Sequence, residues 1–111
     1  MKIINREEFL RLPENTLYSK YTPYIIEKFE IKGESTEYGD FYSQQIVDGF
    51  DECEYSKALE YAEQNGSSVK MYFYCPGRDD CMNEDQLFAV WDNEDVLALI
   101  ERLKLCVKYD D

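Results

Sequence analysis

The sequence predicts an α+β fold, a single domain over residues 1–111 with an antiparallel sheet of about five strands and three helices packed mainly on one face. Three observations carry that expectation. Runs rich in Tyr, Ile, Phe and Thr crowd residues 16–47, and shorter ones recur at 69–74 and 87–91. Two segments, 54–64 and 96–107, carry the 3.6-residue period of an amphipathic helix. The resulting order of helix, three strands, helix, two strands, helix groups strands together instead of alternating them singly with helices, which favours antiparallel pairing. An apolar content of 44%, with ten Tyr, six Phe and one Trp, suffices for one core and argues against disorder despite a charged fraction of 32%.

Each element follows from local chemistry. Asn5 with Glu8 three residues on has capping-box spacing. Phe9, Leu10 and Leu12 then supply apolar contacts before Pro13, so a short helix is expected over 6–12. Strands are expected at 17–21 and 25–31, separated by Thr22-Pro23 and closed by Lys32-Gly33, with a third at 41–47 between Gly39-Asp40 and Asp48-Gly49. These three form a meander. Tyr55, Leu59 and Ala62 share one side of a helix over 54–64 that Asn65-Gly66 stops. Val69 to Tyr74 reads as a strand in which Met71 and Phe73 alternate with Lys70, Tyr72 and Tyr74, ended by Pro76-Gly77. A polar loop over 78–86 leads to a buried strand at 87–91. The last helix is capped by Asp92 or Asn93, has Glu94 and Asp95 in its first turn and Lys104 and Lys108 near its end, and aligns Val96, Leu99, Ile100, Leu103 and Val107 as a core-facing stripe.

Charge narrows the function classes. Of 24 acidic and 12 basic residues, 1–33 hold five and six, whereas 34–111 hold nineteen and six. Such a field repels nucleic-acid phosphates and anionic membranes and attracts a basic protein partner. The N-terminus lacks an apolar signal region, and no apolar run reaches the ~18 residues of a membrane span, so a cytoplasmic protein with reduced thiols at Cys53, Cys75, Cys81 and Cys106 is expected.

The run Arg6-Glu7-Glu8-Phe9-Leu10-Arg11-Leu12-Pro13-Glu14-Asn15-Thr16-Leu17-Tyr18, with Gly77-Arg78-Asp79 and Glu84-Asp85-Gln86-Leu87-Phe88-Ala89-Val90, resembles a group of small phage and prophage proteins of unknown function. The resemblance implies a role inside an infected or lysogenic bacterial cell. It carries across no catalytic residue.

The chain has no histidine, which removes Ser-His-Asp and Cys-His catalysis and histidine-based zinc sites. Cys75 and Cys81 are too far apart for a zinc knuckle, and the other cysteines are isolated. No cofactor, metal or catalytic residue is therefore expected. The expected contact residues are Asp48, Asp51, Glu52 and Glu54 before the middle helix and Asp79, Asp80, Glu84 and Asp85 in the late loop, with Tyr72 and Tyr74 as an aromatic pair opposite Met71 and Phe73. The leading expectation is an interaction protein that inhibits a host nucleic-acid-binding or defence protein by imitating a phosphate backbone, without binding nucleic acid itself. Two other readings stand beside it: a self-associating assembly module using a sheet edge or the tyrosine face, and a metal-dependent regulator or enzyme using the Asp79 to Asp85 loop.

Overall fold

The computed structural model of the chain describes residues 1–46, 52–69, 77–79 and 83–109, with only the backbone described for 52–56. In chain order the elements are β1 (Lys2–Ile4), α1 (Arg6–Leu10), β2 (Thr16–Thr22), β3 (Ile25–Ile26), β4 (Glu30–Ser35), β5 (Phe41–Gln45), α2 (Glu52–Asn65), β6 (Gly77–Asp79), β7 (Leu87–Val90) and α3 (Asn93–Lys104). The strands form one antiparallel sheet in the order β1-β7-β2-β4-β5-β6, and β3 pairs with β2 beside that path. The α+β antiparallel architecture and the β2-β4-β5 meander are those the sequence predicts, but among the described residues the sheet has seven strands rather than about five.

The extra strands have physical reasons. Lys2–Ile4 is too short to carry a period, and it becomes β1 because it lies along β7, with Ile3 opposite Ala89. Gly77–Asp79 reads as polar loop yet pairs along β5, with Tyr42 opposite Arg78. The run expected as one strand over 25–31 is two: Ile25–Ile26 folds back on Tyr21 and Thr22, and β4 starts only at Glu30. Strand β4 then continues through Lys32-Gly33, where a stop was expected. Gly33 lies at a register shift between Lys32 and Ser35, and a Cβ there would sit 2.9 Å from Tyr42 Cβ, so the backbone approach requires glycine. Of the strand expected at 69–74, Val69 lies outside any strand and the remainder falls outside the described residues.

The core forms where the sheet curls around α1. Asn5 caps that helix by accepting the Glu8 amide at 2.9 Å, and the helix ends at Leu10, two residues earlier than expected. Its Phe9 is fully buried, stacked on Phe88 at 3.9 Å between centroids and set edgewise against Tyr18 at 4.7 Å and Phe41 at 5.0 Å. The rings of Phe41 on β5 and Phe88 on β7 are 6.1 Å apart although β2 and β4 lie between their strands. A flat sheet would separate them by about 14 Å, so the sheet is a deep trough with Phe9 on its axis. Such aromatic pairs each contribute about 0.5–1.5 kcal/mol beyond burial.

Helix α3 corrects an expectation. Its acidic first turn and basic last turn are as expected, yet none of its residues is buried. Val96 and Leu99 are half-buried, whereas Ile100, Leu103 and Val107 are 43%, 54% and 51% exposed. Periodicity establishes that a helix has an apolar side; it does not establish what covers that side.

Candidate functional site

The concave face of the trough carries charge as well as rings. Alternation places Tyr18, Lys20, Glu30, Lys32 and Ser43 on the side that Phe9 packs against, and β6 adds Asp79. Lys20 and Asp79 form an ion pair at 2.9 Å across the trough, from strands that β4 and β5 separate. Glu30 is buried beside them. Desolvation pushes its carboxyl above the ordinary glutamate range, Asp79 adds to that rise, and Lys20 opposes it. The Tyr18 and Ser43 hydroxyls share a hydrogen bond of 2.5 Å, and burial followed by the Glu30 charge lifts the Tyr18 phenol. At the trough's rim, Arg78 and Thr36 hydrogen-bond the buried Asp40 carboxylate and hold it below its usual range, Arg78 contributing most, while Arg6 donates to the Gly39 carbonyl.

This arrangement changes the standing of the late acidic loop. Asp79 faces inward and is engaged by Lys20, so it is a structural group and not an exposed contact. Glu84 and Asp85 do face solvent, in a turn held by the Asp85 amide donating to Asn83 Oδ1 at 3.0 Å and by Gln86 donating to the Tyr21 carbonyl at 3.1 Å. Glu52 and Glu54 belong to the first turn of α2, a position that suits carboxylates at the positive end of a helix. Asp48, Asp51, Asp80, Tyr72 and Tyr74 lie outside the described residues.

Two surface features escape the sequence reading. Glu14 and Glu34, twenty residues apart, are brought within hydrogen-bonding reach on the exposed surface, and sharing that bond with Glu34 raises the Glu14 carboxyl above its ordinary range. The backbone enforces the approach: Asn15, in the left-handed region at φ 64°, donates its amide to the Lys32 carbonyl at 2.7 Å, which pins the segment after Glu14 against β4. Only the pairing of β2 with β4 brings these carboxyls together, so no local motif announces them. The second feature is the β2–β3 turn, where Tyr24 is 96% exposed at φ 70° with Ile25 and Ile26 beside it. Its only sequence cue is a Pro-Tyr-Ile-Ile run at a turn.

Among the described residues, no group of three or more His, Cys, Asp or Glu side chains is placed to hold a metal ion, and no helix is long and apolar enough to cross a membrane. No protein-family model, curated protein or solved structure matches the chain.

Proposed function

We propose that the protein works by contact, presenting surface carboxylates to a basic protein partner and competing for it with a phosphate backbone, which makes it an inhibitor of a nucleic-acid-binding protein. The observation that carries this reading is the charge balance of residues 34–111, nineteen acids against six bases, to which Glu14 and Glu34 add two neighbouring exposed carboxyls. A Lys or Arg of the partner bridging the two carboxyls would favour their charged forms and draw the Glu14 carboxyl back toward its ordinary range. The internal use of cations supports the same reading. Lys32 and Arg6 are buried and Lys20 is engaged by Asp79, so half of the six basic residues of 1–33 are turned inward while Glu7, Glu8, Glu14 and Glu34 face solvent.

The test begins with capture of a partner from bacterial lysate, eluted by a salt step, and continues with titration of that partner against the chain and against duplex DNA. Binding weakens as salt rises, the chain displaces the DNA, and Glu14→Gln with Glu34→Gln weakens binding more than Glu84→Gln with Asp85→Asn. Salt-insensitive binding that none of these substitutions alters would overturn the reading.

A further inference from the structure

The last helix presents an apolar seam none of whose residues is buried among the described residues. Val96, Ile100, Leu103 and Val107 recur at spacings of four, three and four, the repeat by which two helices interlock. The seam outlasts α3, because Cys106 and Val107 donate to the carbonyls of Leu103 and Lys104 at 2.9 and 3.2 Å and keep the chain turning. The first turn is anchored, with the Met1 ammonium 2.8 Å from Asp92 and 2.5 Å from Asp95. Exposure grows away from that anchor, from half-buried Val96 and Leu99 to more than half exposed at Leu103 and Val107, and Leu97 on the flank is 61% exposed.

The charge of this segment identifies what fits it. Residues 93–109 hold three acids, Glu94, Asp95 and Glu101, and three bases, Arg102, Lys104 and Lys108, so the segment is neutral within a chain of net charge −12. A basic partner is drawn to the rest of the surface, and nothing draws it here. A second copy meets no net charge on this stretch itself, which Asp92, Asp110 and Asp111 flank. Two of the acids sit in the first turn and all three bases near the end, with Glu101 already paired to Lys104 at 2.9 Å. Laid antiparallel, two such helices set each acidic start beside the other's basic end and oppose their dipoles head to tail.

We propose that α3 is a self-association surface, pairing antiparallel with α3 of a second copy about a two-fold axis that brings Ile100 of one chain against Leu103 of the other. Each residue then appears twice in the interface, so one substitution is felt twice. The stretch from Val96 to Val107 is about 16 Å long, small beside a standard interface of roughly 800 Å² per partner, so the dimer is weak and dissociates on dilution. This inference is independent of the acidic contacts proposed above, which lie on other residues.

Sedimentation equilibrium of the full chain from about 5 μM to 1 mM reads the association directly, since mass action moves a weak dimer across that range. The expected result is a monomer–dimer equilibrium whose dissociation constant rises at least about tenfold in Ile100→Lys and in Leu103→Lys, while Tyr24→Asn, which alters an exposed apolar residue elsewhere, leaves it unchanged. A wild-type chain that stays monomeric throughout overturns the proposal. So does a dimer that survives both lysine variants or that Tyr24→Asn disrupts, because either places the interface on another face. Far-UV circular dichroism completes the test: loss of the fold in both lysine variants means that the seam is covered within its own chain, and that too overturns it.

Discussion

The ammonium of Lys32 donates a 2.9 Å hydrogen bond to the main-chain carbonyl of Leu12, tying the middle of β4 to the turn that follows α1. The same nitrogen donates to the Gly33 carbonyl at 3.0 Å and to Ser35 Oγ at 2.9 Å, which satisfies its three protons, and Ser35 Oγ donates in turn to the Leu10 carbonyl at 2.6 Å. A five-residue helix cannot hold itself together, and its last carbonyls lack partners within the helix. Ser35 supplies one of the missing donors at Leu10, and the Lys32 ammonium fixes the turn that follows the helix at Leu12. The partners are neutral oxygens, so burial still pushes the Lys32 ammonium below its ordinary range, against a smaller opposite effect from Glu14.

Lys32→Met keeps the stem's packing and removes the donor. Two part-buried carbonyls and a hydroxyl lose their partner while a buried charge disappears, and the first effect wins by about 1–3 kcal/mol of lost stability. Urea denaturation measures it. A variant as stable as the parent would mean that desolvation of the ammonium outweighs its three bonds.

Glu30 gives a pH-dependent counterpart. Its folded carboxyl titrates above the unfolded one, so between the ordinary glutamate range near pH 4.3 and that raised value the native state holds the extra proton and stability falls as pH rises. Below that window both states are protonated and no charging penalty exists. Glu30→Gln therefore melts at a higher temperature than the parent at pH 7, and the gain shrinks toward zero as pH drops below 4. A variant destabilised at pH 7 would show that the attraction of Lys20 exceeds the desolvation of the buried carboxylate.

What the sequence made legible, and what it concealed, divides along the range of the interactions. Asn5, Glu8 and Phe9 lie within one turn of one another, so the cap and the core residue of α1 were readable. Strands β2 and β5 announced themselves by aromatic and β-branched content, whereas β4, with Ile31 as its one such residue, starts where the expected strand ends. Strand β6 did not announce itself, because Gly77-Arg78-Asp79 is extended only through its register with Phe41, Tyr42 and Ser43. The same blindness covers the site: Asp79 read as one exposed acid among several in a loop, and only the curl of the sheet turns it onto Lys20. Glu14 and Glu34 were individually unremarked because their meeting depends on strand pairing. For α3, spacing correctly delivered the helix and its apolar side but was silent on the partner of that side.

Tyr24 combines nearly full exposure with a left-handed backbone, a conformation that Asn tolerates better than an aromatic residue. Its amide donates to the Tyr21 hydroxyl at 2.9 Å, a bond that any residue at 24 retains. Tyr24→Asn should raise stability by about 0.5–1 kcal/mol, since strain is relieved and little packing is lost. Equal or lower stability in thermal melts would mean that the ring contributes contacts which offset the strain.

Truncations at Phe9 and Leu99 separate the two kinds of apolar surface in this molecule. Phe9 touches three other rings at the axis of the trough, and Phe9→Ala should lower stability by roughly 3–5 kcal/mol, enough to leave much of a marginally stable chain unfolded. Leu99 is half-buried in a helix without a single buried residue, so Leu99→Ala should lower it by only about 1 kcal/mol in dilute monomer, well under the loss of a core leucine. Measuring both at low and high protein concentration sharpens the contrast, because a dimer stabilises the folded chain by mass action whereas a monomer's core does not respond to dilution. The Phe9→Ala deficit should be the same at both concentrations. The Leu99→Ala deficit should grow at the higher one, where the neighbouring seam is occupied; a Leu99→Ala loss as large as that of Phe9→Ala at every concentration would make α3 part of the core after all.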